Sequence, residues 1–243
     1  MFTLNHFIWL ALCALGISAG MVLALKKGIS SKTAGLCMCA ICAFSETVKI
    51  FTHMLPSPMG GYAMDPTALP FHLCSMQIYV VVFITFSAPS PKRDAVISFF
   101  VPTALLGGIM ALLIPIDGVD FLDIIPYQLF VYHAALVWLA LWFLITKQVD
   151  MGVKAWRRNL LMVGLMGICG MYVNGALFGY GTNFFFLTRP PMEGLPYLNL
   201  DHGWGVYFIH LASLAVILVT GLHLPFMLAE RKRRQNKEDR VCV

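Results

Sequence analysis

Charge is what this chain most lacks. Asp, Glu, Lys and Arg make up 12% of its 243 residues against 59% hydrophobic, and the mean hydropathy is +0.77. A soluble domain carries roughly a quarter of its residues as charges, so this balance excludes one and points to a polytopic membrane protein. Polar linkers and low-complexity tracts are missing too, which leaves a single membrane domain. No basic stretch precedes the first apolar run and no small-residue cleavage site follows it, so residues 5–25 are read as a retained helix rather than a leader. Cysteines stand at 13, 37, 39, 42, 74, 169 and 242, all within apolar segments or the basic tail, and no disulfide framework is expected. The net charge of +5 gives nucleic acid no basic face, because Arg231, Lys232, Arg233, Arg234, Lys237 and Arg240 gather the excess in one tail.

What the chain does have is apolar runs. A hydrocarbon core asks for about 20 residues per helix, and seven runs qualify: 5–25, 33–55, 69–88, 95–116, 126–146, 158–179 and 205–228. Between them fall polar or proline- and glycine-rich breaks such as Lys26-Lys27-Gly28, Pro56-Ser57-Pro58, Pro89-Ser90-Pro91 and Pro190-Pro191. The expected fold is therefore all-α, a seven-helix polytopic membrane bundle over residues 1–230 with a basic cytoplasmic tail over 231–243. Lys and Arg mark short cytoplasmic loops. Lys26, Lys27, Lys32, Lys92, Arg93, Lys147, Lys154, Arg157 and Arg158 fall on the tail's side. The opposite loops hold Arg189 as their one basic residue, with Asp65, Asp117, Asp120, Asp123, Glu193 and Asp201. The N-terminus is expected outside and the C-terminus inside, in a multi-pass protein of a bacterial cytoplasmic membrane.

Polar groups in hydrocarbon are costly and face one another or a wet cavity. At about 1.5 Å per residue, Glu46 and Lys49 lie about 13 and 9 Å from the outer end of the second helix, Cys74 about 6 Å in, His133 about 11 Å, and Asn174 and His210 about 8 Å. All fall in the outer half, so a cavity opening toward the outer leaflet is expected. Glu46, Lys49 and His53 share one stripe, extended by Cys42, and the first two are expected to form an ion pair, either a structural tie or part of a site. Cys74 and Gln77 are co-facial, whereas His72 points to the other side. Gly175 and Gly179 form a GxxxG next to Asn174, expected to serve close helix packing. Pro102 and Gly107-Gly108 can bend the fourth helix and bring its backbone close to a neighbour.

The stretch LPFHLCSMQ, Leu69 to Gln77, is where chemistry concentrates. Pro70 suits a helix's first turn, which would put His72 and Cys74 just inside the helix. A cysteine there is either a small hydrophobe or, with a base nearby, a nucleophile. His133 is the base at a matching depth, and Cys with His supports attack on an acyl carbonyl to give a thioester. Gln77, Asn174 or His72 would then donate to the oxyanion, and Glu46 is a candidate to orient the imidazole. Other readings stay open: a lipid hydrolase with the same dyad, an ion-conducting transporter or sensor using Glu46, Lys49 and the histidines, or a haem protein with His133 and His210 as axial ligands. The seventh run holds no lysine for a retinal Schiff base.

These residues resemble a known family, the YwaF-type bacterial integral membrane proteins and the related eukaryotic transmembrane protein 164 acyltransferases. The resemblance is carried by Glu46 with Lys49, Leu69 to Cys74 (LPFHLC), Ala111 to Pro115 (ALLIP), Gln128 with His133, the run Asn174 to Pro190, and Trp204 with Tyr207. It departs at Arg189-Pro190, where Lys-Pro is the family pattern. The resemblance implies an intramembrane phospholipid acyltransferase with Cys74 as acyl-accepting nucleophile and His133 as its base. Membrane phospholipids are then the substrates, no cofactor or metal is called for, and Gln128, Asn174, Asn183 and Arg189 become supporting or binding positions.

Overall fold

Thr3, Ser30, Ser90 and Asp123 each turn a side-chain oxygen to a backbone N–H two or three residues on, satisfying donors that a helix start leaves unpaired. The helices they open are α1 (Leu4–Lys27), α2 (Ser31–Thr52), α4 (Pro91–Leu113) and α5 (Ile124–Ile145). Three more are α3 (Leu73–Phe86), α6 (Val153–Ala176) and α7 (Trp204–Val241). The computed structural model describes residues 2–57, 59–116 and 118–241, with side chains through Asn236. Pro58, Asp117, Cys242 and the side chains of Lys237 and Arg240 lie outside the described residues.

Six of these helices are long and apolar enough to cross a membrane, and α3, with 14 residues, is shorter. The bundle is thus seven-helical, as the apolar runs led us to expect. The run expected to be helical over 69–88 differs at its start. Residues 69–72 are not helical: Asp65 caps a 3-10 turn at Pro66–Ala68, and Leu69, restricted by the proline after it, takes an extended conformation. Pro70 therefore ends this turn rather than beginning α3. The α2–α3 connection also holds a short antiparallel hairpin, β1 (Met54–Pro56) with β2 (Tyr62–Met64). At the other extreme, α7 continues as helix past Arg231 through the basic segment.

Helix α5 is the hub, packing on α4, α2 and α1, while α3 wedges between α2 and α4, and the α6–α7 pair packs on α4. In lipid such packing rests on close van der Waals fit and interhelical hydrogen bonds rather than on the hydrophobic effect. Small residues supply the fit. A methyl group built on Gly20 would lie 3.2 Å from the Trp138 indole, and one on Gly35 would lie within 3.1 Å of three Thr85 side-chain atoms. At the end carrying the basic loops, buried His223 donates through Nδ1 to the Met151 carbonyl, and Asn159 Nδ2 bonds both the Ser98 carbonyl and His223 Nε2. That cluster joins α7, α6, α4 and the α5–α6 loop. The expected GxxxG contact is absent: Gly175 and Gly179 meet open space, because α6 stops at Ala176 and its close approach is made at Gly170, against Phe185 and Leu187.

Candidate active site

At the opposite end, where the hairpin lies, α3 begins without a side-chain cap. His72 is its N-cap residue, and the first helical bond runs from the Met76 N–H to the His72 carbonyl, 2.9 Å. Cys74 consequently sits in the first turn, and His72 just outside it, a correction to the expectation that both lie within the helix. The N–H groups of Leu73, Cys74 and Ser75 precede the hydrogen-bond ladder and point at the helix's positive end.

Two helices pin this turn. The Tyr132 hydroxyl on α5, 3% exposed, donates to the Cys74 carbonyl at 2.6 Å. Gly107 on α4 makes room for the thiol: a methyl group built there would lie 2.8 Å from Cys74 Sγ. The adjacent Gly108 backs onto α5, with a built methyl 2.7 Å from Val137 Cγ2 and 3.1 Å from the His133 carbonyl oxygen. The two glycines of α4 thus stand one against Cys74 and the next against the backbone of His133.

The His133 ring has a defined tautomer. Its Nδ1 lies 2.7 Å from the Leu129 carbonyl, which only accepts, so Nδ1 carries the proton and Nε2 presents its lone pair. The group that orients the imidazole is thus a carbonyl one turn back on its own helix, in the role the sequence offered to Glu46. Among the described residues no hydrogen bond joins the Cys74 thiol to this ring; resting catalytic contacts are commonly looser than those made with substrate bound.

Glu46 and Lys49 form their ion pair on α2, at 2.6 Å, with side chains 26% and 13% exposed. Removing one partner should cost more than removing both: Glu46→Gln alone should lower stability by about 3 kcal/mol, because it strands the lysine charge in a poorly solvated place. Thermal unfolding of Glu46→Gln against the double variant Glu46→Gln/Lys49→Met tests this, and a double variant as unstable as the single one would refute it. Gln128 reaches across from α5, its Nε2 donating to Ser45 Oγ on α2 at 2.7 Å.

Gln77 ties α3 to α4. Fully buried, it donates through Nε2 to Thr103 Oγ1 on α4 at 2.9 Å, so that nitrogen is engaged one turn below the thiol, and its oxygen lacks a partner. Asn174 and His72 are engaged as well. Asn174 accepts from the Phe184 N–H at 2.8 Å and donates to the Phe184 carbonyl at 3.0 Å, clamping the segment after α6. The His72 ring meets Phe184 and Phe186 at centroid distances of 5.3 and 5.2 Å, and Phe71 meets Phe184 at 5.4 Å.

That segment, residues 184–187, is a strap of unusual backbone. Phe185 and Phe186 both have left-handed φ, 57° and 56°, which costs about 1–2 kcal/mol per residue for a side chain with a Cβ. Side chains hold it there: the Tyr207 hydroxyl donates to the Phe186 carbonyl and Trp204 Nε1 to the Leu187 carbonyl at 2.9 Å, in addition to Asn174. Asn183 braces the strap's far side, its Oδ1 accepting from the N–H groups of Thr188 and Arg189, and Arg189 donates to the Gly181 carbonyl. His210 stands apart from this group, its Nδ1 bonded to the Tyr197 carbonyl at 2.7 Å on a helix that packs on α6 and α4, whereas α5 carries His133.

The expected open cavity takes a different form. Among the described residues shallow clefts lie on α6, around Met171, Tyr172, Gly175 and Ala176, and at the basic end, around Arg93 and Lys147; Cys74 borders neither. Aromatic rings of the strap and of Phe71 and His72 fill the space near the start of α3 instead. Tyr132 and Thr103 were missed by sequence reasoning. The signal for Tyr132 was there, since a tyrosine hydroxyl within an apolar helix needs a partner.

Seven helices among the described residues, six of spanning length, define a multi-pass integral membrane protein. Residues 1–223 match the TMEM164 family, and the chain belongs to that YwaF-like family. No curated protein and no solved structure matches the chain.

Proposed function

We propose that the protein is a membrane acyltransferase that moves a fatty acyl chain from a phospholipid, through a thioester on Cys74, to a lipid acceptor. The observation that carries this reading is the pair of adjacent glycines on α4, one against the Cys74 thiol and the other against the backbone of His133, whose ring is tied at Nδ1 and leaves Nε2 to act as a base. Family membership and the half-buried state of Cys74 support it. In the same reading the N-terminus and this end of the bundle face outside, residues 1–230 form the membrane domain, and residues 231–243 are the cytoplasmic tail.

The chemistry runs in two halves. His133 Nε2 takes the thiol proton, and the thiolate attacks the ester carbonyl of the donor. The N–H groups of the first turn of α3 donate to the resulting oxyanion. The C–O bond breaks, and the departing lysolipid oxygen takes the proton from His133. An acceptor hydroxyl then gives its proton to His133 and attacks the thioester; the C–S bond breaks, and the thiolate regains the proton. Water in place of the acceptor makes the same site a hydrolase.

Incubation of the purified protein with an acyl-labelled phospholipid should leave a hydroxylamine-labile label on the wild type and none on Cys74→Ala. A wild type that stays unlabelled during turnover would sink the thioester. Product that forms equally well without an added acceptor would identify the hydrolase. An ion path finds less support, since Glu46 and Lys49 neutralise each other within one helix.

A further inference from the structure

The start of α3, where the polar residues called for a cavity, is covered by three phenylalanines and a histidine ring. We propose that residues 184–187 are a hinged cover that controls access to Cys74, and that Asn174 is the latch that holds it shut. The cover lies in contact with the two residues that lead into the Cys74 turn, through Phe184 on Phe71 and through Phe184 and Phe186 on His72. Its backbone does not favour the closed form by itself, because Phe185 and Phe186 both sit in the left-handed region. It is closed because α6 and α7 grip it: Asn174 binds both backbone groups of Phe184, Tyr207 binds the Phe186 carbonyl, and Trp204 binds the Leu187 carbonyl.

A cover also needs hinges. Gly181, with φ 67°, lies before the strap and Gly194, with φ 77°, after it, and neither has a neighbour within 4 Å of a built methyl group. Releasing Phe184 from Asn174 removes one of three grips on the turn, so the rings of 184 and 186 leave Phe71 and His72 more readily. The proline pair Pro190-Pro191 stiffens the stretch between Arg189 and the Gly194 hinge. Asn174 thereby acts on Cys74 without touching it, as a positioning residue for the cover.

The meaning of the cover for turnover rests on Cys74 being the acyl-accepting thiol, but its test does not. The full-length protein in phospholipid nanodiscs is exposed to N-ethylmaleimide, and alkylation of each cysteine is followed by peptide-resolved mass spectrometry. Asn174→Ala should speed alkylation of Cys74 by about tenfold, the effect of losing two hydrogen bonds from the closed form, while exposed Cys37 keeps its rate. Tyr207→Phe, which removes one hydroxyl, should give a smaller rise of about threefold. If both variants melt at lower temperature yet alkylate Cys74 at the wild-type rate, the strap is a structural brace and the proposal falls. Faster alkylation in variants of a protein that never forms an acyl label would sustain the cover and remove the acyltransferase reading.

Discussion

Replacing His133 by asparagine should lower the rate of acyl transfer by about 10²- to 10⁴-fold, the usual worth of a positioned general base. Asparagine places its amide nitrogen where Nδ1 stands and can still donate to the Leu129 carbonyl, which holds Nδ1 at 2.7 Å, so the local helix is spared. What it lacks is a lone pair able to take the thiol proton. The loss should fall on kcat, with KM for the phospholipid little changed, because in the proposed reaction the ring serves the reacting atoms rather than the bound chains. Initial rates of lysolipid release over a range of donor concentrations measure both. A loss of less than tenfold would mean that another group, or water, takes the proton.

The second large effect is a contrast between neighbours on α4. Gly107→Ala should leave stability within about 1 kcal/mol of wild type, because the atom it meets is a thiol that can swing aside and alanine favours the helix by about that much. The swing itself is the damage: a displacement near 1 Å at a reacting atom costs about 10²-fold in rate. Gly108→Ala should do the reverse. Its methyl would meet Val137 Cγ2 at 2.7 Å and the His133 carbonyl at 3.1 Å. A valine on a helix is nearly fixed in one rotamer and a carbonyl cannot leave its backbone, so overpacking wins over helix propensity and costs about 1–3 kcal/mol. Thermal unfolding and initial rates on the two variants separate these outcomes. Equal effects on both quantities in both variants would show that the glycines serve packing alone.

The apolar runs made the helices legible, since about 20 apolar residues between breaks have few other uses in so hydrophobic a chain. The Glu46–Lys49 pair was legible because both residues lie on one helix, three apart. The start of α3 was not. Pro70 suits the first position of a helix as well as the end of a turn, and the decision was made by Asp65, five residues upstream, capping a turn of its own. Partners separated by long stretches were hidden for a simpler reason: nothing local joins Gln77 to Thr103, or Cys74 to Tyr132. The same blindness made Asn174 look like an oxyanion donor beside a packing motif, when its partner is the backbone of Phe184, ten residues on.

The brevity of α3 has a consequence for the lipid. Fourteen residues rise about 21 Å, against a hydrocarbon core of about 30 Å. Such hydrophobic mismatch is met by thinning of the surrounding bilayer or by a helix end that starts below the surface. Thinning would bring the turn that carries Cys74 to the level of the glycerol backbone, where the ester bonds of a phospholipid lie. In the proposed reaction a donor would then reach the thiol by lateral diffusion within its own leaflet and need not be lifted into water.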